Sequence, residues 1–150
     1  MASSDIRREV GKQIKTAMKA RDKSRVAALR QITTEFKRIE VDERVEVDDE
    51  RALQVFDKMS KQRKDSLSQY EAAGRNDLAE QEAYELSVIA EFMPEALSEA
   101  ELEAMVDEAI SASGATSMQQ MGAVMGVLKP KVQGRADMGV VSGLVKSRLG

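Results

Sequence analysis

Apolar residues recur along most of this chain at intervals of three and four, the period of α-helices that each bury one face. The first stripe, Ile6, Val10, Ile14, Ala17 and Met18, predicts a helix capped by Ser4 and ending near Arg21 and Asp22. A second stripe, Val26, Leu29, Ile32, Phe36 and Ile39, follows with Ser24 as its cap, and so short a link predicts an antiparallel pair. From Ile39 to Val47 apolar and acidic residues alternate as in a strand, but a lone strand has no partner, so the stretch reads as a loop. The third helix begins at Asp48, Asp49 and Glu50, acids suited to a positive helix start, and carries Leu53, Phe56, Met59, Leu67 and Tyr70. Its middle, KQRKDS from Lys61 to Ser66, is wholly polar and therefore solvated, and Gly74 ends it. Asn76 or Asp77 caps the fourth helix, whose stripe is Leu78, Glu82, Leu86, Ile89 and Met93 before Pro94 halts it; an acid at position 82 of that stripe is irregular.

Pro94 to Leu97 offers the best boundary, giving an N-terminal helical domain over 1–94 and a three-helix domain over 95–150. Ser98 with Glu101 matches a capping box for a fifth helix bearing Leu102, Val106, Ala109 and Ile110, which Gly114 ends. A sixth helix is predicted from Ser117 to Lys129 with Met118, Met121, Met125 and Leu128 on its stripe, stopped by Pro130. The seventh starts after Asp137 and offers Val141, Leu144, Val145 and Leu149. The fold class that results is all-α, a four-helix bundle-like unit followed by a small three-helix module.

Composition sharpens this picture. Aromatics make up 3% of the 150 residues and Trp is absent, so the core must be aliphatic and rich in methionine. His and Cys are absent too, which removes imidazole acid–base chemistry, thiol nucleophiles, disulfides and the usual zinc, copper and iron ligands. Carboxylate, lysine and hydroxyl chemistry survive, but the carboxylates lie in acidic surface runs without a nucleophile partner or a Gly-rich loop. No catalytic constellation, metal site or cofactor is therefore expected. With no signal-type stretch near Met1 and no run long enough to span a bilayer, the chain reads as cytoplasmic.

The net charge of −3 conceals segregation. Ser4 to Arg38 holds eleven Lys or Arg against four acids, and Glu40 to Glu50 holds seven acids against Arg44 alone. Glu95 to Leu128 has six acids and no base, whereas Lys129 to Gly150 has five bases against Asp137. Two readings stand for such runs: a surface that steers polyanions, or the ordinary solvated faces of long helices.

The most distinctive stretch is KPKVQGRAD, Lys129 to Asp137. Gly134 supplies positive φ for a turn, Asp137 caps the next helix and faces Arg135, and Lys129, Lys131 and Arg135 place three cations where free amides also suit a phosphate. Gly122 and Gly126 stand one helical turn apart, and since an interior glycine costs about 1 kcal/mol against Ala, close packing within the module is expected there. Lys61, Arg63 and Lys64 form a second basic patch, and Arg21, Lys23 and Arg25 a third. None carries interleaved aromatics, so contacts to a nucleic-acid backbone rather than base stacking are what they offer.

Taken together, the KQRKDS run, the AGR and DL flanking Asn76, the FMPE of Phe92 to Glu95 and the terminal MGAVMGVLKPKVQGRAD resemble the YqeY family along nearly the whole chain. That resemblance implies an all-helical fold whose last module is similar to the tail domain of the B subunit (GatB) of the glutamine-dependent tRNA amidotransferase. The tail is thought to contact tRNA, with the chemistry residing elsewhere in that enzyme. Carried over, the tail motif falls on Gly122, Met125, Gly126, Lys129, Lys131, Gly134, Arg135, Ala136 and Asp137. The implied function is a non-catalytic tRNA-binding or adaptor protein, with tRNA or a tRNA-charging or amidating complex as partner. Two alternatives are a helical protein-interaction module that docks its methionine face, and amidotransferase-type carbon–nitrogen ligase activity as part of a complex.

Overall fold

The computed structural model describes residues 5–150, in which seven α-helices and one 3-10 turn form and no strand does. They gather into two compact units, divided between Met93 and Pro94. Ser4, expected as the first cap, lies outside the described residues.

The first unit holds α1 (Asp5–Lys19), α2 (Lys23–Glu43), α3 (Asp49–Ala72) and α4 (Asn76–Ala90). The apolar stripes of α1 and α2 do what their spacing requires: Val10, Ala17, Leu29, Ile32 and Phe36 are buried with Phe56, Met59, Val88 and Ile89. Phe36, Phe56 and Phe92 form a short aromatic chain, with centroids 5.8 and 6.1 Å apart. The helix breaks differ in detail from the sequence reading. Asp22, not Ser24, caps α2, accepting from the Arg25 amide, after Arg21 turns the chain with a left-handed φ of 57°.

The alternating stretch after Ile39 divides evenly, helix to Glu43 and the expected loop from Arg44 to Val47. Ile39 follows Phe36 at helical spacing and stays buried, so α2 continues to Glu43; Arg44 then reverses the chain at φ 54°, and Val47 drops into the core. Only Arg44 to Asp48 is loop, and Val41 and Val45 face solvent. Glu40 binds this corner together. It accepts from Arg7 Nε (2.8 Å) and from the Val47 amide (3.3 Å), while the Arg7 guanidinium lies 5.9 Å from the Phe36 ring centre. Asp48 caps α3, and Asp49 accepts from the Ile6 amide of α1.

Gly74 ends the α3 region with φ 71°, as its position predicts. Neither Asn76 nor Asp77 caps α4: Arg75 occupies the cap site without a side-chain capping bond, and its guanidinium pairs with Asp77. The inward face of α4 is also rotated from the expected stripe, burying Ala79, Glu85, Val88 and Ile89. Glu85 is met from two other helices. Arg63 Nε of α3 donates to its Oε2 at 3.1 Å and Gln31 Nε2 of α2 to its Oε1 at 2.9 Å, while another Arg63 nitrogen donates to the side-chain amide oxygen of Gln31. Glu82, one turn earlier, is half-buried; burial first and the neighbouring Glu85 second push its carboxyl above the ordinary glutamate value.

The second unit holds α5 (Glu99–Ser113), the 3-10 turn Met118–Gln120, α6 (Met121–Val132) and α7 (Met138–Leu149). Ser98 and Glu101 form the expected capping box, and Gly114 ends α5 at φ 69°. Leu102, Val106, Ala109, Val124, Leu128, Val132, Val141 and Val145 make the core. Pro130 does not stop α6. It sits in the last turn, where its missing amide deletes one hydrogen bond, and the helix carries on to Val132, whose side chain is buried. The expected close packing at Gly122 and Gly126 does not occur: both are exposed, and a Cβ at either meets nothing within 4 Å.

Three outcomes follow from this packing. Glu40 and Glu91 are held below the ordinary glutamate range chiefly by hydrogen bonds from Arg7 and Arg25. Their stabilisation is full above the unfolded value of about 4.3 and is lost as pH falls through the folded values, so the urea midpoint should hold down to about pH 5 and drop as the pH is lowered further. Glu40→Gln should flatten that drop. Arg63→Met strands Glu85 and should cost about 3 kcal/mol in urea unfolding, most of it regained in the Arg63→Met, Glu85→Leu double variant. Gly126→Ala should raise stability by about 0.5–1 kcal/mol, because the added methyl meets open space and the backbone loses freedom only in the unfolded chain.

Candidate functional site

The turn from α6 to α7 is built by local bonds. The Val132 carbonyl accepts from the amides of Arg135 (2.8 Å) and Ala136 (3.2 Å), which requires the reversal that Gly134 makes at φ 78°. Gln133 and Gly134 are buried beneath it. Asp137 caps α7, accepting from the Gly139 amide at 2.7 Å, so the helix start proposed for a phosphate is already filled by the protein's own carboxylate.

Arg135 does not project freely, and its recorded bonds are not to Asp137. Its Nε donates to the Glu95 carbonyl at 3.1 Å and its own carbonyl accepts from the Leu97 amide at 2.9 Å, strapping residues 95–97 to the turn. The cations that remain outward are Lys129 and Lys131, both exposed in the last turn of α6. Two positive charges there are favoured by the helix dipole, which is their structural role. α6 itself carries no acid, while Asp137 stands in the turn and Glu101 of α5 is near enough to Arg135 for their charges to interact.

The second patch divides. Lys61 and Lys64 are exposed, but Arg63 turns inward, its side chain only 14% exposed, into the network with Glu85 and Gln31. Of the third, Arg21 and Lys23 face solvent, whereas Arg25 grips Glu91 through both guanidinium nitrogens at 2.7 and 2.9 Å. Sequence reasoning missed Glu85 as the buried acid. The signal available was Glu82 in an apolar stripe, which places an acid on the inward side of α4 but one turn from where the partner stands.

Between α2 and α3 run two adjoining clefts of about 450 and 330 Å3, both touching Glu35, Met59 and Gln62. The ion pairs Glu35–Arg38 and Glu43–Arg51 line the larger, so its charge is largely consumed within the wall. Among the described residues no group of three or more Asp or Glu is arranged to hold a metal ion, and no helix is long and apolar enough to cross a membrane.

A segment covering 67% of this chain is 33% identical over 103 residues to a protein of Lachancea thermotolerans named altered inheritance of mitochondria protein 41, mitochondrial. That match takes in 55% of the relative, so the chain spans about half the length of the curated protein it resembles. The model of the family described as Yqey-like protein matches residues 7–149, and the chain belongs to the YqeY family.

Proposed function

We propose that this chain is a non-catalytic RNA-binding or adaptor protein of the cytoplasm whose RNA is tRNA, held by its phosphates at the end of α6. The observation that carries this reading is the division of labour in the turn. Gly134, Arg135 and Asp137 are consumed in building it, and Lys129 and Lys131 stand outward on the platform they make, beside a helix without acids. The resemblance of the sequence motif from Gly122 to Asp137 to the amidotransferase tail favours tRNA as the ligand, and an α-helical surface without exposed stacking aromatics at this turn suits backbone and shape recognition. In this reading any amidation chemistry belongs to a partner.

The protein-docking alternative has less support. Met121 and Met125 pack against the module's own core and only Met118 is well exposed, at 41%. A nitrocellulose filter titration with tRNA across salt tests the RNA reading. Wild type should bind at low salt with a log–log slope of about 0.7–0.9 per phosphate contact, and Lys129→Glu with Lys131→Glu should weaken binding and flatten the slope by about 2. Absence of binding at low salt, or a double variant indistinguishable from wild type, sinks it.

A further inference from the structure

We propose that the solvent face of α1 is a second surface for an RNA phosphate backbone, separate from the α6–α7 turn. The reading rests on the RNA proposal for the class of ligand and on nothing else in it. At 100° per residue, Arg8, Lys12, Lys15 and Lys19 fall within about 60° of arc on α1 and run along ~16 Å of its length. All four are exposed. Arg8 pairs with Asp5; no ion pair is recorded for Lys12, Lys15 or Lys19 among the described residues. Beyond the helix end, Arg21 and Lys23 extend the same charge around the exposed turn, and between Glu9 and Glu35 the only acid is Asp22, whose carboxylate caps α2.

The fold accounts for only part of this arrangement: Lys19 stands in the last turn of α1, where the dipole favours a cation, and Glu9 lies one turn from Lys12. Arg8 with Lys12, Lys12 with Lys15, and Lys15 with Lys19 are like charges at helical neighbour spacing, each pair repelling. Lys23 opens α2 at the positive end of its dipole, where a cation is disfavoured. Anchoring of α1 uses other residues: Val10 and Ala17 in the core, Arg7 on Glu40, and the Ile6 amide on Asp49. A row of cations that the helix holds against its own repulsion is explained by a polyanion that neutralises it.

The chemistry of the row selects among polyanions. No aromatic lies on α1, so bases have nothing to stack on. The apolar side of α1 is turned into the core, leaving only Met18 exposed at 52%, so the helix has no face to sink into a lipid surface. Phosphates spaced along a rigid nucleic-acid strand match a rigid row of lysines.

The test compares two variants with the full chain, Lys12→Gln, Lys15→Gln, Lys19→Gln and the Lys129→Gln, Lys131→Gln pair, by filter titration with tRNA across salt. The triple variant should bind roughly 10- to 100-fold more weakly at low salt and lose about 3 from the log–log slope, near 1 per lysine. Its thermal midpoint should be unchanged or raised, since repulsion is relieved, and this separates lost binding from lost folding. Wild-type affinity and slope in the triple variant overturn the α1 surface, as does lysine-dependent binding to phosphatidylserine-containing vesicles in place of tRNA. A loss confined to the Lys129, Lys131 variant overturns α1 and leaves the turn standing. A loss confined to the triple variant does the reverse.

Discussion

Glu85 takes a carboxylate out of water between α2, α3 and α4, and that burial is tolerable only where its oxygens are met by donors. Arg63 and Gln31 meet it, and they also bond each other, so the polar ring closes on itself. Three helices must then present one residue each at a single point. This fixes the rotation of α4 about its axis: Val88 and Ile89 come inward with Glu85, and Leu86 is left half-buried. It also ends the role of Arg63 as a surface cation. The aliphatic core supplies most of the burial, but hydrophobic attraction has no preferred direction, whereas a buried, hydrogen-bonded ion pair does.

Charge in this protein is used in two ways. Some cations are consumed by the fold: Arg7 on Glu40, Arg25 on Glu91, Arg63 on Glu85 and Arg135 on the backbone of residues 95–97. Others are left outward in rows or clusters, as on α1 and at the end of α6, where neighbouring positive charges repel. Arginines fill most of the first set and lysines most of the second. The guanidinium fork satisfies fixed acceptors from several directions, whereas the ammonium is a hydrated point charge suited to a mobile or absent partner. A binding surface in this chain is therefore more readily sought among its lysines than among its basic runs as such.

Sequence alone determined the features that depend on a few adjacent residues. Seven helices, the capping box of Ser98 and Glu101, the positive-φ glycines at 74, 114 and 134, and the Asp137 cap are all local choices, and each forms where its residues stand. Tertiary packing decided what depends on a distant partner. The first half of the alternating stretch after Ile39 became helix because Ile39 had a core to enter, the rest staying loop, and Pro130 stayed within α6 because Val132 had a core to enter too. Among the site residues, the turn and its cap were legible, but the inward fate of Arg63 and the strapping by Arg135 were not. Their partners, Glu85 and the Glu95 carbonyl, lie 22 and 40 residues away, and no periodicity encodes which acceptor a side chain will reach. Gly122 and Gly126 show the same division from the other side: spacing put them on one face of α6, and only the packing of α5 and α7 decided that this face would meet water.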